Sequence, residues 1–244
     1  MMFWEVLPCA GGTSFEEYLT QGDQAYEQKD LKGASQAYEN ALKLNPKDYE
    51  TTWKLSRTYS DFIGLNRKEL ENYYIKSVDL ARKAIELNSE GSKGHLYLSI
   101  ALGRMTQIKG SPKERIRLSK EIKAEAQRAV DLDPKEHLAW HILGCWNREL
   151  ATLSWIERKF ADVFLGGIPK DASLEKAVAC FKKAIEVNPV VIIHHLELAV
   201  TYERLDQKTL AIDEYQKVLE LPVYHSEDEA HKKTAEGRLR KLKK

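Results

Sequence analysis

The side chains able to do chemistry are few and scattered. His137 and His141 stand four residues apart, which places both imidazoles on one face of a helix, a spacing that can hold a metal ion. Between them lie Leu138, Ala139 and Trp140, without the glutamate that a zinc hydrolase uses as its base, and no third ligand follows. Cys145 comes one turn after His141, yet a small buried thiol accounts for it without a nucleophile's role. His194 and His195 are adjacent, so a helix would point them to different faces. Cys9, Cys145 and Cys180 form no C-x-x-C pair, which offers no zinc framework and suits a reducing, cytoplasmic compartment. Neither a G-x-x-x-x-G-K-[ST] loop, a G-x-G-x-x-G turn nor a G-x-S-x-G elbow occurs. Carboxylates are plentiful but follow solvated faces. The chain is therefore read as non-enzymatic, with no cofactor and no metal.

Arginines are the other chemical signal. Arg57, Arg104, Arg148 and Arg204 recur along the chain, and a planar guanidinium binds carboxylate or phosphate in a two-pronged grip. Whether they act together depends on the elements that carry them.

Those elements repeat. An apolar helix ending followed by Asn or Asp appears as Ala41-Leu42-Lys43-Leu44-Asn45-Pro46, Ala84-Ile85-Glu86-Leu87-Asn88-Ser89, Ala129-Val130-Asp131-Leu132-Asp133-Pro134 and Ala184-Ile185-Glu186-Val187-Asn188-Pro189. It closes with Val218-Leu219-Glu220-Leu221-Pro222. Three and seven residues before the first, fourth and fifth leaders stand Tyr38/Ala34, Phe181/Ala177 and Tyr215/Ala211. This resembles the A-x3-[YF]-x2-A face of the second helix in a tetratricopeptide repeat (TPR), and Trp140-x2-Leu143-Gly144 resembles the opening of the first. Small residues let paired helices approach, and the opposing Tyr or Phe fills the gap.

The predicted helix pairs are 14–28 with 31–44, 48–62 with 66–87, 92–108 with 112–132, 135–150 with 171–187, and 190–205 with 208–221. The fold class read from this is all-α: a TPR-like right-handed superhelix of about five hairpins, with an inserted helix and a C-terminal capping helix. In domain terms, 1–13 is a flexible arm, 14–225 the solenoid with its insertion at 153–170, and 226–244 a basic cap. The first segment lacks the basic leader of a signal peptide, although an export signal trimmed upstream is compatible with it.

Composition agrees with a folded helical chain. Of 244 residues, 43% are hydrophobic and 31% charged, and charges interrupt every apolar stretch well before the ~20 residues of a membrane span. The net charge of +1 is unevenly spread: from His231 to Lys244 seven Lys or Arg face one acid, Glu236. Lys232, Lys233, Arg238, Arg240 and Lys241 give this tail an attraction for an anionic partner.

Gly144-Cys145-Trp146 together with Leu153-Ser154-Trp155-Ile156-Glu157-Arg158-Lys159 is similar to the core of the regulator of microtubule dynamics family, and Leu219-Glu220-Leu221-Pro222 to its C-terminal end. That resemblance covers roughly residues 70–230. It implies a helical-repeat scaffold tied, in animal members, to microtubules; bacterial relatives exist for which such a role makes no sense. In a TPR stack the first helices line a concave groove. The repeat register puts Trp53, Arg57, Ile100, Arg104, His141, Arg148 and Arg204 there, with Trp155 of the insertion beside them. The expected function is a scaffold that grips an acidic or amphipathic protein segment in that groove. Alternatives are a lipid or amphiphile in the groove, or microtubule docking through the basic tail in a eukaryote. Nucleic acid is not expected, because Tyr and Trp fall on packing positions rather than among basic residues.

Overall fold

A computed structural model describes residues 13–108, 111–154, 158–159, 162, 167, 171–224 and 227–243. Among them are eleven α-helices and no strand. They are α1 (Phe15–Glu27), α2 (Leu31–Leu44), α3 (Tyr49–Ser60), α4 (Arg67–Leu87), α5 (Ser92–Ile108) and α6 (Pro112–Leu132). The series continues with α7 (His137–Ala151), α8 (Leu174–Val187), α9 (Ile192–Arg204), α10 (Lys208–Glu220) and α11 (Asp228–Leu242). Every predicted pair is present, with ends displaced by at most three residues. The predicted arm, apart from Thr13, and most of the insertion at 153–170, including Trp155 and its expected helix, lie outside the described residues.

The repeated phrase has one structural meaning. Asn45, Asn88, Asp133 and Asn188 leave their helices with φ between −131° and −151°, and each N–H still bonds the carbonyl of the leading alanine at 2.9 Å. Those alanines, 41, 84, 129 and 184, are fully buried because the next hairpin packs on them. Helix starts are signalled by short polar side chains. Ser14, Asp30, Asp48, Asn66, Ser111 and Ser173 each accept a first-turn N–H, and Ser14 with Glu17 forms a reciprocal capping box.

Within hairpins the small-against-large logic holds. A β-carbon added to Gly22 would lie 2.4 Å from the Tyr38 ring, and one on Gly144 would lie 2.6 Å from Phe181. The second hairpin solves the same problem differently. Ser56 and Ser60 of α3 meet Ser77 of α4, with Ser56 Oγ donating to the Ser77 carbonyl at 2.8 Å and Ser77 Oγ donating back to the Ser56 carbonyl at 2.8 Å. Ser60 Oγ lies 2.7 Å from Ser77 Oγ. Hydroxyl pairs thus hold two backbones close where no aromatic ring is available.

Successive helices pack in chain order, and the first helices also pack on one another: α3 with α5, α5 with α7, and α7 with α9. No comparable contact joins the second helices among the described residues, so the first helices form the inner wall of a superhelix. α4 and α6 have 21 residues each, against 14 in α2 and α8. Their C-terminal ends share the common phrase, so the extra two turns, about 10 Å, project at their N-terminal ends. α11 packs on α10 and α9 through Ala235 and Leu239.

Candidate functional site

The inner wall starts with aromatic rings stacked by the repeat. Trp53 of α3 lies flat on Tyr97 of α5, with centroids 5.4 Å apart and planes 5° from parallel. The Arg57 guanidinium, one turn after Trp53, sits 3.6 Å above the Tyr26 ring and 5.5 Å from Trp53. Its Nε is buried without a hydrogen-bond partner. Tyr26 spends its hydroxyl on Asp61, the residue that ends α3. Burial pushes the Asp61 carboxyl above its ordinary range, against the bond from Tyr26 and the charges of Arg104 and Arg57. Arg104 is half-buried on the next first helix, and Ile100 packs one turn before it. Glu227, at the entry to α11, acts electrostatically on Asp61 and on Tyr74, so the start of the cap faces this same wall. Trp53, Arg57, Ile100 and Arg104 are thus brought together, joined by Tyr26, Asp61 and Tyr97.

The other two arginines go elsewhere. Arg148 is 8% exposed and donates to the carboxylate and the backbone carbonyl of Glu197 on α9, and to Glu149 beside it. Arg204 is exposed at the end of α9. The arginine stripe expected from the sequence is therefore concentrated at α3 and α5. The cause is register: Arg104 and Arg204 stand sixteen residues past Asn88 and Asn188, but Arg148 stands fifteen past Asp133. One residue turns a helical side chain by about 100°, which aims Arg148 at the following hairpin.

His141 lies in a row of imidazoles rather than alone. His194 of α9 sits between His137 and His141, with His137 Nδ1 to His194 Nε2 at 2.8 Å and His194 Nδ1 to His141 Nδ1 at 3.0 Å. Burial holds the His141 ring down to about 4, against the pull of Glu197. No three His, Cys, Asp or Glu among the described residues converge as a metal cage. Burial also pushes the Cys145 thiol far above its usual range, which makes it a poor nucleophile. His195, by contrast, is framework. Its Nε2 meets the Pro189 carbonyl at 2.9 Å, as Trp140 Nε1 meets Pro134 at 2.9 Å and His95 Nε2 meets Ser89 at 3.1 Å. In three hairpins a ring nitrogen at the repeat's Trp position thus meets the carbonyl of the preceding turn.

On the cap, Lys232 donates to the Leu219 carbonyl at 3.0 Å and Arg238 pairs with Glu203 at 3.1 Å. Lys233, Arg240 and Lys241 remain exposed on its outer side. Sequence reasoning missed Tyr26, Asp61, Tyr97 and Glu197. Each is an ordinary helix residue by type, and its role comes from a neighbouring hairpin.

The profile of the family described as Regulator of microtubule dynamics protein 1-3 matches residues 18–243. The chain belongs to this family. It is 28% identical to regulator of microtubule dynamics protein 1 of Mus musculus over 218 residues, which is 87% of this chain and 70% of the mouse protein. It is also 28% identical to protein 3 of Bos taurus, covering 94% of this chain and about half, 50%, of that longer protein. Among solved structures, a thermophilic TPR protein of Thermus thermophilus superimposes with a TM-score of 0.67 at 18% identity, covering 91% of this chain and 98% of its own. Pseudomonas aeruginosa pilF superimposes at 0.61 with 13% identity, covering 93% and 91%. These likenesses establish the TPR-like fold. No helix among the described residues is long and apolar enough to cross a membrane.

Proposed function

We propose that this regulator of microtubule dynamics family member is a non-enzymatic scaffold that grips an acidic or amphipathic protein segment in its concave groove, at Trp53, Arg57, Ile100 and Arg104. The observation that carries the reading is the Arg57 guanidinium, spread on Tyr26 and Trp53 with Nε unpaired, one first helix away from Arg104. Aromatic faces strip water from a guanidinium and hold it flat, so an incoming carboxylate meets an oriented cation. Asp61 is the internal competitor, and its raised carboxyl reflects how little water reaches this wall.

The test is binding of a fluorescent peptide rich in Asp, Glu and Leu, followed by anisotropy. In Arg57→Ala with Arg104→Ala the dissociation constant is expected to rise at least tenfold, with helicity by circular dichroism unchanged. Binding should weaken as salt is raised. Equal affinity in the double variant would remove the groove from the account.

A second reading rests on the exposed Lys233, Arg240 and Lys241 of α11 and on the microtubule link in the family's name. Reversing those three charges should abolish co-sedimentation with microtubules if the cap is the docking surface, and the groove variants should leave it unchanged.

A further inference from the structure

We propose that the seam between the fourth and fifth hairpins is a proton-sensitive latch: His137, His194 and His141 form a hydrogen-bonded chain between Asn188 and Cys145 that closes only while all three imidazoles are neutral.

The geometry imposes this. His137 Nε2 lies 3.4 Å from Asn188 Nδ2, and His141 Nε2 lies 3.5 Å from Cys145 Sγ. With the two imidazole–imidazole contacts at 2.8 and 3.0 Å, all six ring nitrogens face a partner. If the Asn188 amide donates to His137, then His137 Nδ1–H donates to His194 Nε2. His194 Nδ1–H then donates to His141, and His141 Nε2–H to the sulfur. The reversed order, with the amide turned and the thiol donating, is equally consistent. In both, each ring gives one hydrogen and receives one, which is what a neutral imidazole offers. A protonated ring has two donors, so one added proton sets N–H against N–H at some link of the chain. His194 is fully buried, so no water takes up the stranded donor.

The chain crosses from α7 to α9, so its breakage acts on the contact between two hairpins. The groups around it are mixed. Glu197 on α9 favours a charged His141, whereas Arg148 on α7 and His231 on α11 oppose it. Phe181 of α8 presents a ring at a T-shaped 64° to His141. Ahead of His137, Glu136 is tied to Lys93 of α5. His195 lies on another face of α9, bonded to Glu214 of α10 at 2.7 Å. Burial outweighs the rest at His141, held to about 4.

The sign follows from linkage. A folded state that keeps the ring neutral binds fewer protons than the unfolded chain, whose imidazoles titrate near 6.5. The latch is complete above that value and is lost as pH falls from about 6.5 towards about 4. Each unit in that window raises the opening constant up to about tenfold per proton.

Two measurements on the full chain decide it. At pH 7.5, imidazole ¹⁵N shifts should show one protonated and one bare nitrogen in each of the three rings; an imidazolium among them overturns the proposal. Amide hydrogen exchange at pH 7.5 and 5.0, corrected for intrinsic rates, should show α7 and α9 losing protection at least tenfold while α1–α4, which carry no histidine, change less than twofold. Unchanged protection of α9, or an equal loss throughout the chain, overturns it as well. His141→Asn keeps an acceptor but takes no proton, so its α9 response should shrink several-fold. An undiminished response would assign the effect to His195 and Glu214 instead. Should the variant fail to fold, the wild-type measurements stand alone.

Discussion

Arg104 and Arg148 differ by one residue in their distance from the turn before them, and that offset decides what each does. Arg104 stays on the inner wall beside Asp61, while Arg148 turns into the seam and is consumed by Glu197. A largely buried ion pair that loses one member leaves the other charge uncompensated, so Arg148→Met should lower stability by about 3 kcal/mol in urea unfolding. Adding Glu197→Leu should return most of that loss, because an apolar pair of similar volume needs no solvation. A double variant as unstable as the single one would show that Arg148 works through its aliphatic stem, not its charge. The arginines were legible in the sequence as residues, but their separation into wall and seam was not. It depends on which carboxylate a neighbouring hairpin supplies, and no pattern within one helix reports that.

At the scale of the element, the hairpins with a ring opposite a small residue were the ones that could be read. Gly22 faces Tyr38 and Gly144 faces Phe181, as the periodic spacing demands. Gly144→Ala should cost about 1–3 kcal/mol by forcing the Phe181 ring aside. Phe181→Leu in the same chain should recover part of it by making room, and thermal unfolding of the four forms gives the coupling. The second and third hairpins were visible only through their closing phrase. There Ala81 and Ala126 occupy the aromatic position, and the second hairpin is drawn together by Ser56, Ser60 and Ser77. Serine is so common on helices that its pairing across a hairpin leaves no trace in one sequence.

For the molecule as a whole, stability is a sum over neighbours, because each hairpin touches little beyond the next. α11 closes the array by covering the apolar side of α9 and α10 with Ala235 and Leu239. Ending the chain after Leu221 should therefore strip protection from α9 and α10 in hydrogen exchange while α1 to α4 keep theirs. Uniform loss would mean that the array folds as one unit. The sequence announced this cap by its charge, and the buried Ala235 and Leu239 by their helical spacing.

The added turns of α4 and α6 carry a consequence for how such a chain can vary. They grow from the rim at which α3 and α5 end, and the segment between Ala151 and Leu174 leaves α7 at that same rim. Arg67, at the tip of α4, already reaches the Ile108 carbonyl there, and Lys123 of α6 reaches Asp171 just before α8. The opposite rim, fixed by four Asn or Asp turns, sets the spacing of the stack. New length entering at the free rim would form a ledge without altering the curvature of the groove or the seat of the cap, so this margin is where relatives can differ most while keeping the same inner surface.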